Sequence, residues 1–132
     1  MRDKAWWVGV ALSGAVMVIA GAYAAHGMAA HASAVMVGVF ETGVRYQAWH
    51  TLAMLGVLAW RASMPLAGQR WVLGLWALGM LAFSGSLYAM ALGGWNLGLV
   101  TPLGGALLIA GWLALAVVAL MAERRRSSEP NA

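Results

Sequence analysis

The chain contains no cysteine and only 9% charged residues. The first absence excludes disulfides, thiolate metal sites, iron–sulfur clusters and cysteine nucleophiles. The second excludes an ordinary soluble surface, which carries about 25% charged residues because it must face water. Acid–base groups are scarce as well, with four Asp and Glu and three His in 132 residues. What fills the chain is apolar: 63% hydrophobic residues, with 17 Gly and eight Trp. A chain of this length is one domain by prior. Four membrane spans of about 20 residues would occupy roughly 80 positions and leave about 50 for ends and connections. The expected fold is therefore all-α, an integral membrane four-helix bundle.

Four apolar runs mark the spans, at approximately residues 6–26, 42–61, 71–92 and 103–122. The first is interrupted by no charge and holds Ser13 as its one hydroxyl before Tyr23. The second needs a length argument. Its clean stretch, Ala48 to Trp60, is too short for roughly 30 Å of hydrocarbon at about 1.5 Å per residue. It must extend back to about Thr42, which takes Arg45, Tyr46, Gln47 and His50 into or against the bilayer. The fourth run starts after Pro102, a residue suited to a first helical turn. Residues 123–132 read as a basic, disordered cytoplasmic tail.

Positive charge orients the bundle. With the N-terminus cytoplasmic, that side receives Arg2, Lys4, Arg61, Arg70, Arg124, Arg125 and Arg126, against at most Arg45 on the other. Both termini are expected in the cytoplasm, and the net charge of +4 is a topology signal, not evidence for nucleic acid. A secretory signal peptide is the rival for the first run, with Ala22-Tyr23-Ala24 as its cleavage site. The run exceeds the usual apolar length of about 7–15 residues in such peptides, so it reads as a span. Trp6, Trp7, Trp60, Trp71 and Trp95 fall at the expected boundaries, where indoles favour the head-group layer. Gly9/Ser13, Gly104/Gly111 and Ala106/Ala110/Ala114 recur at helical spacing and favour close helix packing.

On this topology the polar residues collect in the outer half. They are His26, His31, Glu41, Arg45, Tyr46, Gln47, His50, Ser84, Ser86, Tyr88, Asn96 and Thr101. Such groups are expensive in lipid and mark sites by default. The inner halves read as nearly bare, which disfavours a monomeric conduit, since a channel or carrier needs polar groups across the whole thickness. Glu41 and Arg45, four apart on one helix face, are expected to neutralise one another. His50 is expected to be neutral and hydrogen-bonded to another helix, with Tyr46, Tyr88, Ser84 and Ser86 as candidate partners.

Catalytic and metal readings find weaker support. His26 and His31 are five apart across a glycine, matching neither the zinc-protease spacing nor an i,i+4 clamp. Haem held by His26 and His50 requires both rings to point into the bundle. Ser84 or Ser86 with His50 and Glu41 supplies the residue types of a hydrolase, without the nucleophile-elbow motif. The chain is read as non-enzymatic, with no cofactor and no metal.

Several runs of residues also carry a resemblance. Gly21-Ala22-Tyr23-Ala24-Ala25-His26-Gly27, Phe40-Glu41-Thr42-Gly43-Val44-Arg45-Tyr46-Gln47-Ala48-Trp49-His50, Phe83-Ser84-Gly85-Ser86-Leu87-Tyr88, and Thr101-Pro102-Leu103-Gly104-Gly105 with Gly111-Trp112 occur in order. In this the chain resembles the YgdD-like family of small four-span membrane proteins of unknown function, found in bacteria with relatives in mitochondria. The resemblance covers about residues 14 to 115 and implies a four-helix fold and an inner (plasma) membrane location. It supplies no substrate or reaction. The expectation is an accessory or stabilising subunit of a larger membrane complex, in contact with lipid and with other membrane-protein subunits or further copies of itself. The alternative is a ligand-binding or transport protein whose site is the outer pocket of His26, Glu41, Arg45, Tyr46, Gln47, His50, Ser84, Ser86, Tyr88 and Thr101, and a weaker third reading is haem or quinone binding.

Overall fold

The computed structural model describes residues 3–128, so Arg2 and residues 129–132 of the tail lie outside the described residues. Among the described residues four long helices follow one another: α1 (Lys4–Ala22), α2 (Ala34–Ser63), α3 (Ala67–Gly93) and α4 (Val100–Ser128). A π-helical turn (Tyr23–Gly27) and a 3-10 turn (Met28–Ala30) prolong α1. Among the described residues three helical stretches, Lys4–Ala30, Ala67–Gly93 and Val100–Ser128, are long and apolar enough to cross a membrane. The remaining helix, α2, is 30 residues long and less apolar, because it carries Gln47, His50, Thr51 and Arg61. All four of those side chains are buried against other helices. The protein is an all-α membrane bundle in which α2 turns these four polar groups inside.

Local chemistry sets the helix ends. Ser33 caps α2, its hydroxyl accepting from the Met36 amide at 3.3 Å, which starts the helix eight residues before Thr42. Phe40 then packs with Ala24 and Met28, and Val37 and Val44 close over them. At the other end of α3, Gly94 takes a left-handed φ of 66° and stops the helix. Pro102 lies in the first turn of α4, where its missing N–H leaves no bond unmade. The irregular tail expected from Glu123 is helical as far as Ser128. Arg and Glu are good helix formers, and Arg125 and Arg126 sit where the helix dipole favours cations.

Helix α3 is the spine, packed between α2 and α4, while α1 lies against α2. Along the α3–α4 seam the buried residues of α4 are Gly104, Leu108 and Gly111, one helix face. A Cβ on Gly104 would lie 2.8 Å from Phe83 Cα and 2.9 Å from the Ala82 carbonyl carbon, backbone that cannot move aside. The Trp76 indole is fully buried in the same seam and donates to the Leu108 carbonyl at 3.2 Å. Of the small-residue pairs expected to pack, Gly104/Gly111 does so. Gly9 meets nothing within 4 Å, and Ala106 is exposed. Of the boundary indoles, Trp71 and Trp95 project outward, whereas Trp6 and Trp7 turn in against the core.

At the end carrying Asp3, the α2–α3 turn is clamped by side chains. Arg61 donates to the Leu66 carbonyl at 2.7 Å and to Gln69 Oε1 at 3.4 Å, and Gln69 donates to the Met64 carbonyl at 3.1 Å. The buried Arg61 guanidinium also pairs with Asp3 at 2.7 Å, and Arg70 reaches the other carboxylate oxygen at 3.1 Å. Partial desolvation pushes the Asp3 carboxyl up, but the hydrogen bonds and charges of Arg70 and Arg61 outweigh it and hold the group below its ordinary value of 3.8.

Two outcomes follow from this packing. Gly104→Ala should destabilise the bundle by about 1–3 kcal/mol, as overpacking against rigid backbone does, in thermal unfolding of the detergent-solubilised protein. Gly85→Ala, with nothing within 4 Å, should be neutral or slightly stabilising. Because the folded-state value of Asp3 is lowered, its contribution is complete above the ordinary carboxylate range and is lost as pH falls through the lowered value. Asp3→Asn should therefore lower Tm at neutral pH by more than Arg70→Gln does. Wild type and Asp3→Asn should converge in acid, and a gap that persists at low pH would contradict the assignment.

Candidate functional site

Polar side chains meet between the helices in separate connections, not in one pocket. The longest begins at Tyr88 on α3, whose hydroxyl donates to Gln47 Oε1 at 2.6 Å. The Gln47 amide nitrogen donates onward to the Ser13 carbonyl at 3.1 Å and to its hydroxyl at 3.2 Å. Ser13 and Thr51 share a hydrogen bond of 2.7 Å, and Thr51 reaches the Met80 sulfur at 3.7 Å. One chain of bonds thus ties α1, α2 and α3. Separately, Ser84 donates to the Gly43 carbonyl at 2.7 Å, joining α3 to α2, and Ser86 bonds Thr101 at 2.6 Å, joining α3 to α4. Among the described residues no buried side-chain nitrogen or oxygen is left without a partner, which hydrocarbon demands.

His50 forms the remaining connection, and its partners fix its tautomer. The Trp112 indole N–H can only donate, and it does so to His50 Nε2 at 3.0 Å. Nδ1 must then carry the proton, and it lies 2.7 Å from the Tyr46 carbonyl that accepts it. His50 is therefore a neutral imidazole bridging α2 and α4. The partners expected from the sequence go elsewhere: Ser84 to Gly43, Ser86 to Thr101, Tyr88 to Gln47. Tyr46 contributes its carbonyl and a stacked ring, with centroids 6.3 Å apart and planes at 14°.

Beside this bond a lateral groove of about 600 Å³ opens between α2 and α4, with α3 as its floor. Tyr46, Trp49, His50, Phe83, Leu108 and Trp112 line it, so it is aromatic and apolar. It faces outward from the bundle, Trp49 being 52% and Trp112 47% exposed.

Of the ten candidate residues, Tyr46, Gln47, His50, Ser84, Ser86, Tyr88 and Thr101 lie between helices, while His26, Glu41 and Arg45 are exposed. His26 points away because the inward stripe is Ala20, Ala24 and Met28, which leaves it on the opposite side. The expected Glu41–Arg45 pair is not made, and among the described residues the ion pairs are those of Asp3 with Arg61 and Arg70. The hydroxyls of Ser84 and Ser86 are not directed at His50, and no group of three or more His, Asp and Glu comes together among the described residues. Ser13 and Thr51 carry polarity to mid-helix, and buried Arg61 and Gln69 occupy the far end. Sequence reasoning gave Ser13 and Trp112 no hydrogen-bonding role and passed over Thr51. The signals for Ser13 and Trp112 were a lone hydroxyl in an apolar run and an indole placed mid-span, both of which must find a partner in lipid.

The His50–Trp112 bond can be measured by a double-mutant cycle in unfolding. Trp112→Phe and His50→Leu should each destabilise, the latter by about 1–3 kcal/mol because it strands an N–H donor. The double variant should recover a coupling of about 1 kcal/mol, and strictly additive losses would mean that the bond is not made.

Comparison with known proteins places these residues in a family. Residues 20–105 match the family described as Protein of unknown function (DUF423). The chain is 37% identical over 126 residues to the UPF0382 inner membrane protein YgdD of Escherichia coli, covering 95% of this chain and 96% of that one. It is 43% identical over 108 residues to a UPF0382 membrane protein of Haemophilus influenzae, covering 81% and 86% of the two chains. It is 41% identical over 100 residues to one of Staphylococcus haemolyticus, covering 74% and 80%. No solved structure matches. The protein thus belongs to the DUF423 family, the membrane proteins of unknown function that include YgdD.

Proposed function

We propose that this chain acts by association within the bilayer, as a non-enzymatic accessory or stabilising subunit of a larger membrane complex. The observation that carries this reading is how its polar and apolar groups are used. The buried polar side chains are spent on joining helices, and what α1 and α4 offer outward along most of their length is apolar. Helix α1 buries a single residue, Val10, and α4 buries three, so two whole helices present their faces to neighbours. With Arg61, Arg70 and the Arg124–Arg126 run at one end, the positive-inside rule supports placing both termini in the cytoplasm. The location is the inner membrane, where the similar YgdD is named.

A second reading is favoured by the groove between α2 and α4. An aromatic cavity of about 600 Å³ with converging side chains is the form a binding site for a membrane-soluble ligand takes. On this reading the chain is a lipid- or ligand-binding protein whose site is built on Tyr46, Trp49, His50 and Trp112.

Affinity purification in mild detergent, from cells expressing the tagged chain at its native level, separates the two. A stoichiometric membrane-protein partner that survives washing supports the accessory role. Recovery of the free protein alone, repeated after cross-linking in intact membranes, would overturn it.

A further inference from the structure

The exposed stripe of α2 reads Glu41, Arg45, Trp49 and Leu52, residues that share one helix face. Trp49 and Leu52 form a wall of the groove. Arg45 and Glu41 continue the line of that wall toward the start of α2. Among the described residues neither charge has an ion-pair partner. Their level is set by neighbours: Phe40 and Val44 pack with Ala24 and Met28 at the end of the bundle remote from Asp3. The two charges stand one and two helical turns beyond Trp49 toward that end, with Glu41 about 6 Å farther out than Arg45 by helix rise. An unpaired cation and anion on an outward membrane face call for opposite charges from outside the chain.

We propose that the stripe and groove bind a phospholipid with a phosphoethanolamine head group. Its acyl chain lies along Trp49 and Leu52, its phosphate on Arg45 and its ammonium on Glu41. The assignment comes from the order of charges. Moving outward, the protein presents an apolar groove, then a cation, then an anion. Such a lipid presents an apolar chain, then a phosphate beside the glycerol, then an ammonium two carbons farther out. The guanidinium fork suits phosphate oxygens, and an ammonium donates N–H to a carboxylate. A phosphoglycerol head leaves Glu41 without a cation, and a phosphocholine head has no N–H to give it. The proposal rests on the reading of the groove as a ligand site and adds the identity of the ligand.

The test is native mass spectrometry of the full chain, purified in detergent and offered equal amounts of dioleoyl phosphatidylethanolamine, phosphatidylglycerol and phosphatidylcholine. Retention of the ethanolamine lipid should exceed that of the other two about tenfold, the ratio that one charge-assisted contact supports. Arg45→Gln should lower retention of both the ethanolamine and the glycerol lipid. Glu41→Gln should remove the ethanolamine preference and leave the glycerol lipid bound as well or better. Exchanging the two, Glu41→Arg with Arg45→Glu, preserves their ability to neutralise each other but reverses their order, and should abolish the preference. All these side chains are exposed, so Tm should hold and the variants remain readable. Gly105→Phe, which fills the groove, should lower retention of all three lipids.

If Gly105→Phe lowers retention but the wild type shows no head-group preference, the groove is a lipid site and the ethanolamine assignment falls. If Gly105→Phe changes nothing, the ligand reading of the groove falls and the proposal with it. A dimer that disappears with Glu41→Gln would assign the stripe to a second copy and likewise overturn it.

Discussion

A hydroxyl, amide or imidazole carried into hydrocarbon has no water to bond, so it must find a protein partner or stay out. That constraint organises this bundle. Lipid tails are as apolar as leucine, so bringing helices together gains little hydrophobic energy, and polar bonds and close packing have to specify the fold. Gln47 shows how much one side chain can do: its amide oxygen holds Tyr88 of α3 and its nitrogen holds Ser13 of α1. Because the two ends of an amide have opposite roles, the bond also fixes which way the group faces. The same asymmetry fixes His50, whose single neutral tautomer follows from an indole that can only donate.

Packing supplies the rest, and it is concentrated on α3. Gly104 allows backbone-to-backbone approach with Phe83, and Leu108 and Trp76 fill the seam below it. The glycine therefore does on the α4 side what hydrogen bonds do on the α1 side. The groove arises between these two modes. Helices α2 and α4 both rest on α3 but meet each other mainly through His50 and Trp112, so the space above and around that bond stays open.

Much of the fold was legible in the residues because a membrane restricts the choices. Uninterrupted apolar runs and the placement of Arg and Lys revealed the helices and the end where positive charge gathers. The recognised motifs mark many of the residues that join helices, including Gln47, His50, Ser84, Ser86 and Thr101. What could not be read was which groups would meet. Glu41 and Arg45 have a spacing that permits a pair, but spacing carries no information about the rotamers that would close it. Arg61 looked like a boundary charge because its partner Asp3 lies 58 residues away in sequence. His26 sits in a run of mostly small residues, yet its direction depends on the inward stripe of its own helix, which only packing with Phe40 reveals.

Helix α1 buries only Val10 and is fastened at three levels: Asp3 at one end, Ser13 midway, and Ala24 with Met28 beyond its last turn. An element fastened partly by polar bonds is sensitive to the dryness of its surroundings as well as to loss of apolar contacts such as those of Trp6 and Trp7. Water competes for an ion pair and for hydroxyl bonds, but not for a glycine seam. In a bilayer thinned or hydrated near these fastenings, α1 is the segment that would swing away first, leaving the α2–α3–α4 unit assembled around its tryptophans.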